Sequence, residues 1–271
     1  MEVRKHILYP LLVEQLKNDG IEIRAIYERN EAALRDKEGL PKETGFYPLP
    51  GLATDLDGHL ELVENGIRYD VDYINGQKTG FFLDQKYNRR AAAALAPGRR
   101  VLDCCTHTGA FALNCAQAGA EHVTAVDISK DAVELTRRNA ALNGLSDKVE
   151  VQQADVFDLL TTLAQEKKHP YDYIILDPPA FTKSGATVKN AYRGYKEINL
   201  KAMKLLPRGG YLATCSCSHF MTPNLFCQML REAAADAAVS LRQIEDRRQA
   251  PDHPILWGVP ETEYLKFYLF Q

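Results

Sequence analysis

At 271 residues, 45% hydrophobic and 25% charged, the chain is long enough to bury its own core without disulfide staples. A net charge of −3 and a pI near 6.2 exclude a uniformly basic nucleic-acid coat, although a local basic face can sit on an acidic protein. No stretch approaches the ~20 apolar residues of a membrane span. The opening apolar run is broken by Glu14, Gln15 and Lys17, and the six cysteines contain no C-x-x-C pair. These features predict a cytoplasmic protein with reduced thiols, no leader and no metal site.

In chain order, LLVEQLKNDG predicts a short helix ended by Gly20, and IEIRAIYER alternates as a strand does. Residues 31–58 are rich in turn formers and charge. HLELVENGIRYDVDY predicts two strands around the Asn65-Gly66 turn. Residues 1–75 are therefore expected to form a small α+β domain that positions substrate, and residues 76–271 a larger one.

In the larger domain, strands and helices alternate. RRVLDCC is followed by the helical AFALNCAQAG and HVTAVDI by KDAVELTRRNAALNGL, KVEVQQAD and YDYIILD are a third and a fourth strand, and the helix EINLKAMKLLP precedes a fifth, GGYLATCSCS. This order predicts an α/β fold, a doubly wound, mostly parallel, Rossmann-like sheet of seven strands with helices on both faces. Ligands of such sheets bind outside the carboxyl ends of the strands, where the strand order reverses.

The strand ends carry acids. Asp103 ends the first, and Thr106-His107-Thr108-Gly109 turns into the helix, with Gly109 letting backbone come close. Asp127 ends the second strand, placed for ribose hydroxyls, and Asp155 the third, placed for an adenine amino group. A dinucleotide needs a G-x-G-x-x-G turn for its pyrophosphate. Here the turn is C-C-T-H-T-G with an acid before it, which favours a cationic ligand. S-adenosylmethionine is the expected cofactor. Each acid alone also reads as a helix N-cap.

The fourth strand ends in Asp177-Pro178-Pro179-Ala180-Phe181. The rigid turn lets Asp177 and its neighbouring carbonyls hold an amino group on a flat base, with Phe181 stacked on it. Cys217, just past the fifth strand, offers a thiol that can add to C6 of cytosine and activate C5. Cys215 points the same way but lies deeper. Cysteines in buried strands also serve as small core residues.

With these motifs in place, the sequence resembles the bacterial ribosomal large-subunit methyltransferase I family, which forms 5-methylcytosine in rRNA. The resemblance runs through YERN, KEGL, GQKTGFFLDQKYNRR, VLDCCTHTGAFAL, DPPAF, SCS and RQAPDHPI. It implies that Gln85, Asn88 and Arg89 line the cofactor pocket with Asp103, Thr108, Gly109, Asp127, Asp155 and Asp177. It also implies that Cys217 is the nucleophile with Asp177 beside it, and that Pro178, Phe181 and His253 meet the substrate, His253 or Asp252 serving in proton transfer. Family members begin with an RNA-binding PUA domain, and this sequence starts at the domain that follows it. RNA is the implied partner, with a homodimer as one form and no membrane. Lys183, Lys189, Arg193 and Lys196 are candidate phosphate contacts. Two other functions fit the motifs. One is methylation of an exocyclic amino group on guanine (N2) or adenine (N6), which needs no cysteine. The other is a non-catalytic, cofactor-binding ribosome assembly factor.

Overall fold

The computed structural model describes residues 2–166, 169–182 and 184–271. Two compact units emerge, one of residues 1–60 and 71–81, the other of 61–70 and 82–271. The cut expected at residue 75 is replaced by an interleaved division, with ten hairpin residues belonging to the larger unit.

In the smaller unit, helix α1 (Lys5–Asn18) is followed by strand β1 (Tyr27–Arg29), one turn of helix α2 (Leu34–Lys37) and strand β2 (Thr44–Phe46). β1 and β2 pair antiparallel, Tyr27 opposite Phe46. The strand expected over 21–29 shrinks to three residues, because only Tyr27 to Arg29 find ladder partners. α1 starts earlier than LLVEQL, at Lys5, whose ammonium reaches Glu2 at 2.8 Å and Glu28 at 3.1 Å. The hairpin β3 (His59–Glu64) and β4 (Ile67–Asp72) turns at Asn65 and Gly66, both left-handed, as its Asn-Gly sequence requires.

The larger unit runs α3 (Lys86–Ala93), β5 (Arg100–Cys104), α4 (Ala110–Gln117), β6 (His122–Asp127), α5 (Lys130–Leu142), β7 (Val149–Gln153) and α6 (Val156–Gln165). It continues with β8 (Tyr173–Leu176), α7 (Val188–Leu205), β9 (Tyr211–Ser216), α8 (Pro223–Ala237), β10 (Gln243–Arg247) and β11 (Lys266–Phe270). Its sheet has the order β10-β11-β9-β8-β5-β6-β7. β9, β8, β5, β6 and β7 are parallel, and β11 lies antiparallel to both β9 and β10. The expected seven-stranded, mostly parallel α/β sheet is what forms. Its central strands are largely apolar because both faces are covered. Leu102, Ile174, Leu176 and Leu212 pack with Tyr195 and Ile198 of α7 and Phe226 and Met229 of α8.

Strand order reverses between β5 and β8, so the crevice opens beyond Cys104 and Leu176, which are paired partners. No described helix is long and apolar enough to cross a membrane.

Candidate active site

The turn leaving β5 is wound tightly. Cys105, His107 and Gly109 all take left-handed φ, at 63°, 54° and 80°. Such conformations are costly for residues with a Cβ and persist only where surroundings hold them. Here the Asp127 carboxylate accepts from the His107 amide at 2.9 Å, and the His107 ring packs edge-on against Phe82. The His107 and Thr108 carbonyls accept from Thr136 and Asn139 of α5, each at 3.0 Å. Gly109 is needed for a reason the sequence did not suggest. A Cβ there would sit 2.7 Å from Thr136 Cγ2, so the close approach is to α5.

Register brings the acids together. Asp103 lies within β5, while Asp127 ends the neighbouring β6. Asp155 follows β7 and caps α6, its Oδ1 accepting from the Phe157 amide at 2.7 Å. Asp127 also accepts from the Ser129 amide at 2.9 Å, so it organises turns on both sides. Asp103 is fully buried. Its Oδ2 accepts from Thr106 (2.6 Å) and the Ala112 amide (2.9 Å), and its Oδ1 has no hydrogen-bond partner among the described residues.

Asp177 follows β8, and its Oδ2 accepts from Gln85 Nε2 at 3.1 Å. Gln85 Oε1 accepts from Asn88 at 2.7 Å, and Asn88 Oδ1 accepts from Arg247 at 3.1 Å. Arg89 is buried against Glu64 at 2.6 Å and donates to the Phe82 carbonyl. The Gln85-Asn88-Arg89 segment thus holds Asp177 and the sheet edge in place. The loop carrying His253 docks here too. The Ala250 amide donates to the Asp84 carbonyl at 2.8 Å, Asp252 pairs with Lys86 at 2.5 Å, and His253 Nδ1 lies 3.0 Å from Asp252.

Pro178 is buried, whereas the Phe181 ring lies 4.5 Å from the Tyr195 ring and 6.0 Å from that of Phe157. Phe181 therefore packs the turn onto α6 and α7 and is not presented for stacking. Lys189 and Arg193 are exposed on α7, and Lys196 is held by Glu232 (3.4 Å) and Asp236 (2.9 Å). Lys183 lies outside the described residues.

The electrostatics of this edge favour a cation. Burial, with repulsion from Asp177 and Asp127, pushes the Asp103 carboxyl up to about 7. Burial and the neighbouring Asp84 push Asp177 up to about 6, against the opposing pull of Arg89 and Gln85. The partnerless oxygen of Asp103 in this acidic neighbourhood fits S-adenosylmethionine, whose ammonium and sulfonium supply the missing positive charge. A pyrophosphate would be repelled.

Two expectations follow from this charge arrangement. Asp127→Ala should weaken S-adenosylmethionine binding by roughly 1.5–3 kcal/mol, the scale of lost charge-assisted hydrogen bonds. Unchanged affinity in calorimetry would remove Asp127 from the cofactor site. Affinity should also rise with pH as Asp177 and Asp103 ionise, through about 6 and about 7. Stability of the ligand-free protein should move the other way. Both folded values lie above the ordinary ~3.9, so the protonated carboxyls stabilise the fold and that contribution fades as pH rises through them. Thermal melts and calorimetry over one pH series check both, and affinity falling across that window would contradict the cationic reading.

At the end of β9 the side chains alternate in access. Cys215 is fully buried, its thiol lies against Asp177 and Gln85, and burial holds it well above the ordinary thiol range. Ser216 and Ser218 are buried and fixed, Ser216 donating to Tyr195 (3.1 Å) and Ser218 to the Thr182 carbonyl (2.9 Å). Cys217 between them is partly exposed. Sequence reasoning passed over Asp84, which accepts from Tyr264 at 2.7 Å, and Lys266. The signal for Lys266 was present, a single charge in the apolar run LKFYLF.

Residues 52–271 match the family model described as S-adenosylmethionine-dependent methyltransferase. A ribosomal RNA large subunit methyltransferase I from Shewanella amazonensis is 45% identical over 245 residues, 89% of this chain. Another of that name from Aeromonas hydrophila is 42% identical over 247 residues. The chain spans 60% of the length of each. Among solved structures, a candidate S-adenosylmethionine-dependent methyltransferase from Streptococcus mutans superposes with a TM-score of 0.73 at 23% identity. It covers 84% of this chain and 58% of that one, a likeness of fold.

Proposed function

The chain belongs to the S-adenosylmethionine-dependent methyltransferase family, and from that premise we propose that it forms 5-methylcytosine in large-subunit ribosomal RNA, in the cytoplasm, through a covalent bond from Cys217. The observation that carries this reading is the end of β9. Leu176 pairs with Thr214, so Asp177 runs alongside Cys215, and Cys217 is the accessible thiol one pleat further out. An amino-group methyltransferase would need the Asp177 turn but no thiol beyond it.

In this reading Asp177, steadied by Gln85, holds the N3–N4 edge of a flipped cytosine. The Cys217 thiolate adds to C6, which makes C5 electron-rich. The bound cofactor supplies the methyl group that C5 takes up. His253, oriented by Asp252, removes the C5 proton, the C5–C6 double bond re-forms and the thiolate leaves.

Mass spectrometry of rRNA nucleosides from cells lacking the gene tests the assignment. Loss of one 5-methylcytidine from large-subunit rRNA is expected. Loss of a base methylated on its amino group would favour the second chemistry, and no change would favour an assembly factor. RNA binding by this chain alone should be weak and salt-sensitive, since exposed Lys189 and Arg193 offer few phosphate contacts. Tight binding that survives high salt in a filter assay would mean that another surface grips the RNA. The mass in solution shows whether the enzyme works as a homodimer.

A further inference from the structure

β11 is apolar and buried at Phe267, Tyr268, Leu269 and Phe270, Leu265 just before it is buried too, and Lys266 between them is fully buried as well. Taking an ammonium out of water is costly unless something compensates its charge. No described carboxylate lies within ion-pair distance of its Nζ. The ammonium donates instead to the Ser218 carbonyl at 2.6 Å and the Tyr264 carbonyl at 2.8 Å. Two carbonyls satisfy hydrogen bonds but do not neutralise a charge.

Lys266 lies beside the end of β9. In the β9–β11 ladder it stands opposite Ser216, and its Nζ reaches the carbonyl of Ser218. These residues flank Cys217, and their side chains are tied down by Tyr195 and Thr182. We propose that Lys266 is a positioning residue whose buried ammonium holds the Cys217 thiol as its thiolate. This deepens the reading given above and rests on it, because only a nucleophilic Cys217 has use for such a partner.

Other charges bear on the pair. Burial lowers Lys266 to about 8, Cys217 draws it up, Arg248 pushes it down and Glu263 raises it. Arg248 is itself bound to Glu263 at 2.9 Å and to Asp246. Around Cys217 stand Tyr195, Tyr264 and the neutral thiol of Cys215. Coupling of this kind is mutual, so an ammonium stabilised by the thiolate stabilises the thiolate equally.

The test reads the thiol directly and needs no RNA. Alkylation of Cys217 by iodoacetamide is followed by mass spectrometry against pH in the full chain, its Lys266→Met variant and its Lys266→Arg variant. The wild-type midpoint should fall below the ordinary thiol value of ~8.5. Lys266→Met should raise it by about one unit and slow alkylation at neutral pH roughly tenfold, whereas Lys266→Arg should keep it low. Equal midpoints in folded wild type and Lys266→Met would overturn the proposal. Should Lys266→Met fail to fold, the reciprocal measurement decides. The NMR titration of the Lys266 ε-carbon must move to lower pH in Cys217→Ala, and an unmoved titration is equally fatal. The two readings separate cleanly. A shifted thiol in an enzyme that methylates without Cys217 upholds the pair and refutes the covalent mechanism, and the converse result does the opposite.

Discussion

Cys217→Ala should abolish methyl transfer, by on the order of 10⁴-fold or more, while S-adenosylmethionine affinity stays near wild type. The separation is expected because Cys217 lies beyond β9, whereas the acids that suit the cofactor lie on or just past β5, β6, β7 and β8. An RNA carrying 5-fluorocytosine at the target position makes the intermediate visible. After thiolate addition and methyl transfer, C5 holds fluorine where the proton would be, and fluorine cannot leave as a cation. Elimination stops and a protein–RNA adduct accumulates on a denaturing gel. Cys215→Ala should retain the adduct, since Cys215 is fully buried and its thiol is kept neutral against Asp177. An adduct missing only from the Cys215 variant would move the nucleophile inward. Normal turnover in Cys217→Ala would end the covalent mechanism.

Arg89→Met should cost about 3–5 kcal/mol of stability in urea unfolding, the range for stripping one partner from a buried ion pair. Glu64 and Arg89 are both buried and meet at 2.6 Å, tying β3 to α3, while the other arm of the guanidinium holds the Phe82 carbonyl at 2.6 Å. Removing the cation leaves the Glu64 carboxylate in a site it cannot share with water. Adding Glu64→Leu should recover most of the loss, because two well-packed apolar side chains remove both desolvation penalties. A cost below ~1 kcal/mol in the single variant would mean that water enters and solvates Glu64.

The alternating strands and helices of the larger unit were readable because a parallel sheet covered on both faces needs runs such as YIIL, and each turn after a run must begin a helix. The acids at strand ends were readable for the same reason, since a polar residue closing an apolar run lands at the carboxyl edge. Side-chain direction was not. Phe181 follows the proline turn, and only the position of Tyr195 fourteen residues later settles that its ring turns inward. IEIRAI has the alternation of a strand, but alternation does not supply a ladder partner, and only Tyr27 to Arg29 have one. Lys266 was legible as the single charge in LKFYLF, but its place opposite Ser216 at the start of β11 is fixed only by the ladder.

β11 follows β10 in the chain yet lies between β10 and β9, and among the described residues it is the only sheet neighbour β10 has. During synthesis β10 therefore emerges before the strand it pairs with. The five parallel strands can assemble as they appear, each beside one already made, but the antiparallel edge must wait for a segment that threads into a reserved gap. That segment also brings Lys266. The acidic strand ends belong to the parallel core, so they can form before the edge that carries Lys266, and β9 keeps one edge unpaired until β11 arrives.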